Sequence, residues 1–197
     1  MESNLHNLLS RVHEFVPEDV LLNAAPDSLF SRHIFSAQEE FRRSWSYAIP
    51  SREAIERLVL LSPIVEIGAG AGLWAACLKA AGATIYAYDN FSWRKAVALG
   101  KHWRVRQGGP LMVRRHPGAT LMLCWAPYDD SMAVRALKHY AKTDGKRLIW
   151  IGEDEGGCCG GDDFWKLLRK LNFQEVDFIR IPQWPGLHDH VVIYERE

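Results

Sequence analysis

One stretch limits what this chain can fold into more than any other. Ile64-Val65-Glu66-Ile67 runs into Gly68-Ala69-Gly70-Ala71-Gly72 and then Leu73-Trp74, and Ala83-Thr84-Ile85-Tyr86-Ala87-Tyr88 ends on Asp89. An apolar strand enters a glycine-rich turn, a helix follows, and a second apolar strand ends in a carboxylate. Glycines at such a turn let backbone approach a ligand closely, and a strand-terminal carboxylate can receive ribose hydroxyls. The segment reads as a nucleoside-binding β-α-β unit.

Two ligand types compete for such a unit. A dinucleotide fingerprint, G-x-G-x-x-G, sets a pyrophosphate on a helix N-terminus. Counted from Gly68, its third glycine belongs where Leu73 stands; the third glycine is Gly72 instead. Glu66 also precedes the turn, and a dinucleotide site has no use for a carboxylate beside its pyrophosphate. S-adenosylmethionine has no phosphate and carries a cationic sulfonium and a cationic amino group. The pattern Glu66-x-Gly68-x-Gly70-x-Gly72 resembles the first motif of the class I S-adenosylmethionine-dependent methyltransferases, and Asp89, 21 residues after Gly68, resembles their second-strand acid. The resemblance implies S-adenosylmethionine as cofactor and methyl transfer as activity. It implies Glu66, Gly68, Gly70, Gly72 and Asp89, with the adjacent Asn90, as the cofactor-binding residues.

The rest of the chain agrees with an α/β fold. Strands are predicted at Ile64–Ile67, Thr84–Tyr88, Trp103–Arg106, Thr120–Cys124, Arg147–Ile151, Phe173–Ile181 and Val191–Tyr194. Helices are predicted at Leu73–Ala81, near Trp93–Leu99, at Ser131–Tyr140 with Asp129 or Asp130 near its cap, and at Phe164–Leu171 capped by Asp162 or Asp163. Alternating elements imply a Rossmann-like, doubly wound, mostly parallel seven-stranded sheet. The last two strands resemble the antiparallel hairpin that ends the class I methyltransferase sheet. Residues 1–62 read as a helical lead-in or lid, broken at Pro17, Pro26 and Pro50, with Ser51 capping a helix from Arg52 to Leu61. Residues 63–197 read as the methyltransferase-like domain, in one compact unit with the lead-in, and the resemblance covers about residues 52–197.

Composition excludes some classes. Lys plus Arg equals Asp plus Glu at 24 each, so no global field draws in nucleic acid or an anionic membrane. No apolar run approaches the about 20 residues of a membrane span. Met1–Ser10 lacks the basic start and apolar core of a secretory leader. The cysteines Cys77, Cys124, Cys158 and Cys159 have neither disulfide-framework nor zinc spacing, which suits a reducing, cytoplasmic setting.

In open α/β sheets, ligands bind beyond the carboxyl ends of the parallel strands. The loops there hold the remaining candidates. Trp125-Ala126-Pro127-Tyr128 sits where amino-methylating members of the family carry Asp/Asn-Pro-Pro-Tyr. Pro127-Tyr128 is kept, but an indole at position 125 cannot accept a hydrogen bond from an amine, which counts against nucleobase N-methylation. Trp125, Tyr128 and Trp184 are candidate substrate contacts; Tyr128, Glu153 and His188 are candidate catalytic groups, with Asp129 and Asp154 as further acids by location. His188-x-His190 alternates across a strand edge, so no metal is expected. Cys158-Cys159 reads as part of a glycine-rich turn.

The acceptor expected from these features is a small molecule or a protein side chain. Nucleic acid is not favoured, although residues 90–128 contain no acid and carry Arg94, Lys95, Lys101, Arg104, Arg106, Arg114 and Arg115, with Trp93 and Trp103 between them. Such a stretch can follow a phosphate backbone, which leaves methylation of RNA or single-stranded DNA as an alternative. A non-catalytic, S-adenosylmethionine-binding sensor or partner subunit is the other alternative. The oligomeric state is not encoded in any of these features.

Overall fold

A computed structural model describes residues 2–22, 32–92, 102, 104–143 and 145–197. Seven strands form one sheet: β1 (Ile64–Ile67), β2 (Ile85–Asp89), β3 (Arg106–Gln107), β4 (Thr120–Cys124), β5 (Arg147–Gly152), β6 (Gln174–Arg180) and β7 (His190–Glu195). Their order is β3-β2-β1-β4-β5-β7-β6. β3, β2, β1, β4 and β5 pair in parallel, and β7 runs antiparallel to both β5 and β6. The chain therefore leaves β1 towards one edge, returns, and leaves again from β4 towards the other. The crevice between the carboxyl ends of β1 and β4 is the topological switch point, where such sheets bind ligands.

The central strands are buried and mostly apolar because both faces are covered, with Glu66 of β1 the buried acid among them. Side chains alternate between two cores, as a period of two requires. Ile64, Met122, Ile149 and Ile193 face one core, while Val65, Leu121, Leu123, Leu148, Trp150 and Val192 face the other. The second core is closed by α6 (Met132–Ala141), α7 (Asp162–Lys170) and the 3₁₀ segment Pro110–Arg115. The first is closed by α5 (Leu73–Ala80) and by α1 (Glu2–Phe15), α2 (Glu18–Leu21), α3 (Arg32–Ser44) and α4 (Arg52–Leu58).

Most expected elements appear, with differences at their ends. Ser51 caps α4, its hydroxyl accepting from the Ala54 N–H at 3.2 Å, but the α-helix stops at Leu58 and Val59–Leu61 tightens into a 3₁₀ turn. α7 starts at Asp162 behind Gly161 with no side-chain cap; Asp162 and Asp163 lie inside its first turn, where they suit the helix dipole. Asp130 receives the Met132 N–H at 2.7 Å just before α6. β3 pairs only at Arg106 and Gln107, shorter and later than the expected Trp103–Arg106. The helix expected near Trp93–Leu99 and the break at Pro26 lie outside the described residues.

The N-terminal helices do not form a core of their own. Phe41 of α3 is fully buried and its ring lies 5.7 Å from that of Trp184, in the loop between β6 and β7. Leu5, Leu9 and Val12 of α1 join the same cluster as Ile64 and Met122. No described helix is long and apolar enough to cross a membrane. Phe41→Ala is expected to cost about 3–5 kcal/mol, lost from a single urea-unfolding transition monitored by tryptophan fluorescence. Two separate transitions would make the lead-in an independent unit.

Candidate functional site

A cavity of about 430 Å³ opens at the switch point. Its floor is the turn after β1, stapled to the end of β2. The N–H groups of Gly68 and Ala69 donate to the Tyr88 carbonyl at 2.8 and 3.0 Å, and the Gly70 N–H donates to Asp89 Oδ2 at 3.0 Å. The turn needs glycine for steric reasons. Gly68 has φ +82°, and a Cβ there would stand 2.9 Å from Met132 Cε. Gly72, at φ +78°, is the N-cap of α5.

Asp89 is buried and its second oxygen accepts from the Phe91 N–H at 2.7 Å. Each carboxylate oxygen has two acceptor directions, so these two bonds leave room for ligand hydroxyls. Asn90 is exposed at the rim, with its side chain turned to the Ser92 N–H. Glu66 lines the same cavity but is almost wholly buried, and Oε2 has no hydrogen-bond partner. Burial, with a smaller contribution from the Asp89 charge, pushes its carboxyl up to about 8. All six residues expected to hold the cofactor, Glu66, Gly68, Gly70, Asp89 and Asn90 on the wall and Gly72 at the start of α5, are thus gathered at one turn.

The opposite wall is aromatic. Trp125 follows β4 with φ +48°, a left-handed conformation that costs a bulky residue about 1–3 kcal/mol. Three contacts hold it. Its N–H donates to Ile151 O at 2.8 Å, its indole Nε1 donates to Asp189 Oδ1 at 2.8 Å, and its ring stacks on Tyr47 at 4.8 Å. Asp189 is fully buried, and desolvation raises its carboxyl to about 7, against the opposing pull of the Trp125 bond. Tyr128 stands half-exposed at the mouth, its hydroxyl donating to Asp162 Oδ1 at 3.3 Å. Asp129 is exposed on the same rim.

The other sequence candidates are placed elsewhere. Trp184 is 1% exposed within the apolar core against Phe41, away from the cavity wall. Glu153 is buried and engaged by backbone: the Cys158 N–H donates to Oε2 at 2.7 Å and the His188 N–H to Oε1 at 3.0 Å. Desolvation works against its charge, yet those donors hold its carboxyl below the usual range. His188 is exposed, and only its backbone reaches Glu153. Asp154 bonds His190 Nε2 at 2.9 Å. These groups brace the loops after β5 and before β7, and none of the four lines the cavity. Burial pushes the Cys159 thiol up to about 12, and the hydrogen bond to Glu153 raises that of Cys158. Among the described residues no cluster of three or more His, Cys, Asp or Glu is arranged to hold a metal.

Sequence reasoning misses the wall contributed by the lead-in. Arg42, Trp45, Ser46 and Tyr47 all line the cavity. Their signal is the aromatic run Trp45-Ser46-Tyr47 placed just ahead of Pro50 and the Ser51 cap. Asp189 is missed as well, since nothing local distinguishes it from a loop acid.

No protein-family profile and no curated protein matches this sequence. Solved structures do resemble it. One is a magnesium protoporphyrin IX methyltransferase from Synechocystis PCC 6803 with bound SAM, at 15% identity and a TM-score of 0.47 over 74% of this chain and 79% of that one. Another is a SAM-dependent methyltransferase from Aquifex aeolicus, at 14% identity and a TM-score of 0.47 over 83% and 96%. A third is a protein of the NADB-Rossmann superfamily from Streptococcus agalactiae, at 14% identity and a TM-score of 0.49 over 75% and 69%. At these values the strand order, rather than any neighbour, decides the architecture. The fold is the Rossmann-like one of the class I methyltransferases.

Glu66 sets a testable pH dependence. The folded chain keeps its proton to about pH 8, whereas a free glutamate ionises near 4.5. Its contribution to stability is therefore complete below the lower value and lost as pH rises through the upper one. Glu66→Gln, which cannot ionise, is expected to gain on the native chain by roughly 2–5 kcal/mol between about pH 5 and about pH 8. Thermal unfolding of both proteins across that range checks this. Parallel pH profiles would mean that Glu66 does not carry the buried proton.

Proposed function

We propose that this chain is an S-adenosylmethionine-dependent methyltransferase. The observation that carries the reading is the buried, unpartnered Oε2 of Glu66, a residue that lines the cavity together with Asp89 and the glycine turn. A buried acid without a partner is costly in a free chain. A cationic ligand would offset that cost. A nucleoside with a cationic tail matches the donor set: hydroxyls for Asp89, backbone approach at Gly68–Gly72, positive charge for Glu66. A dinucleotide would bring a pyrophosphate and no cation for Glu66.

Bound S-adenosylmethionine supplies an electrophilic methyl group on a sulfonium. The protein's part in an in-line displacement is to align the acceptor and exclude water. Trp45, Tyr47 and Trp125 provide a wall that keeps water out, and Tyr128 stands where an entering acceptor passes. Asp129 is the rim acid nearest an entering acceptor, since Glu153 and Asp154 are committed to loop contacts and His188 does not line the cavity. A sensor that binds the cofactor without turnover would share everything but the acceptor contacts.

Calorimetric titration with S-adenosylmethionine, S-adenosylhomocysteine and NADH tests the reading directly. The first two are expected to saturate one site, NADH is not, and Asp89→Ala is expected to weaken both by about 10-fold or more. Unchanged affinity in a folded Asp89→Ala chain would remove the site assignment. A second outcome follows from the protonated Glu66. A cation beside it favours the ionised form, so binding below about pH 8 releases a proton and affinity rises with pH. Glu66→Gln is expected to bind S-adenosylmethionine more weakly with a flat pH profile. A flat profile in the native chain would place the cation elsewhere.

A further inference from the structure

The formal charge of zero conceals a segregated surface. α6 and the 3₁₀ segment Pro110–Arg115 pack side by side over the second core and carry no acidic residue. On α6 the exposed cations are Arg135, Lys138 and, at its C-cap, Lys142. Their spacing of three and then four residues puts them on one helix face. Arg114 and Arg115 end the 3₁₀ segment, and Arg106 lies on edge strand β3; all three are exposed. None of these six forms an ion pair among the described residues.

Two histidines report how close these cations lie across the elements. Burial first, and then the charges of Arg114, Lys142 and Arg135, hold His139 below its ordinary range. Burial, Arg106 and Arg115 do the same to His116. The neighbours of each histidine come from more than one element, and α6 packs along the 3₁₀ segment, so the cations of these elements share one side of the molecule. α7, packed against α6, adds Lys166 and Lys170 beside Lys138, with Asp163 within 3.9 Å of Lys166.

The face begins at the mouth of the cavity. Met132, the first residue of α6, lines the cavity, and so does Pro110, the first of the 3₁₀ segment. At 1.5 Å per residue, Lys142 lies about 15 Å further along. The 3₁₀ segment carries Arg114 about 8 Å away from the same rim.

We propose that this face binds the phosphodiester backbone of a single-stranded nucleic acid whose terminal or looped nucleotide is the acceptor. The identity of the acceptor rests on the methyltransferase reading; binding to the face does not. A row of unpaired cations leading away from a cavity suits a polyanion longer than the cavity, and not a small neutral acceptor. A base inside a duplex cannot reach an enclosed site, whereas a single strand can present one at no unpairing cost. Tyr128, half-exposed at the mouth, offers a ring on which such a base can stack. A formal charge of zero removes a global field, but a local field does not depend on net charge.

The test is fluorescence anisotropy of labelled single-stranded 15-mer RNA, and of DNA of the same sequence, with the full chain. Binding of either strand supports the proposal, and the difference between them tells whether the sugar is read. Log affinity is expected to fall against log salt with a slope near −4 for about six contacts between about 50 and about 200 mM salt. The triple variant Arg135→Ala, Lys138→Ala, Lys142→Ala is expected to bind at least about 10-fold more weakly, with a slope smaller by about 2. Arg114→Ala with Arg115→Ala should act in the same direction, and Lys79→Ala on α5 should not. Salt-independent binding, or equal binding by the triple variant, would overturn the proposal. So would preference for anionic vesicles or poly-glutamate over the strands. S-adenosylmethionine titration of the same variants is expected to be unchanged, so failure of this face and failure of the cofactor site register separately.

Discussion

The hydrogen bonds that tie the turn after β1 to the end of β2 are the constraint on which the remaining geometry depends. Gly68 and Ala69 share the Tyr88 carbonyl, and Gly70 is held by the Asp89 carboxylate. With the turn fixed, Gly72 starts α5 in one place, and the Ala71 carbonyl is presented to the His102 N–H at 2.9 Å. The His102 ring lies on Trp45 at 4.3 Å and its Nε2 approaches Ser44 O at 2.6 Å. The end of α3 is thereby tied to the turn, which brings Trp45 and Tyr47 to the cavity. A lid seated this way is continuous with the floor beneath it.

Two buried carboxylates flank this arrangement for different reasons. Asp189 is half-satisfied by the Trp125 indole, and that bond keeps a strained aromatic residue upright on the wall. Glu66 does nothing comparable for the free chain. It occupies the centre of a sheet strand between apolar neighbours, where a glutamine of the same shape would avoid the desolvation cost. A residue that weakens the fold at neutral pH and keeps one buried oxygen without a partner beside a cavity makes physical sense as half of an ion pair that a ligand completes.

Local pattern made the glycine-turn side of the cavity legible. A buried strand that is apolar apart from Glu66 runs directly into three glycines, and the next strand ends in Asp89; each of these follows from backbone conformation or from burial on both faces. The other side was not legible in that way, because tertiary pairing decides what a loop residue does. Glu153 has the composition of a catalytic acid, but two backbone N–H groups, one 35 residues away, engage its oxygens. Trp184 sits in a proline-rich loop that looks like a substrate contact, yet Phe41, far off in the chain, takes its ring into the core. Tyr47 lines the cavity with its ring stacked on Trp125, a partner far off in the chain. The short β3 was placed early for a related reason: two residues of pairing leave little hydrophobic pattern to find.

Net charge is silent about where charges lie, for a similar reason. It sums 24 cations and 24 anions without regard to which are already engaged. In the folded chain Glu155 is bound by Arg169, Asp154 by His190, Asp162 by Tyr128, and Glu153 by backbone. The acids of the loop after β5 are thus committed, while the cations of α6 and the neighbouring 3₁₀ segment form no ion pair among the described residues. At physiological salt, charges interact over about 8 Å, so a ligand meeting this face responds to those cations rather than to the balance of the whole chain. A neutral protein can therefore present a polyanion with a strongly attractive surface, provided that its acids are spent on holding its own loops.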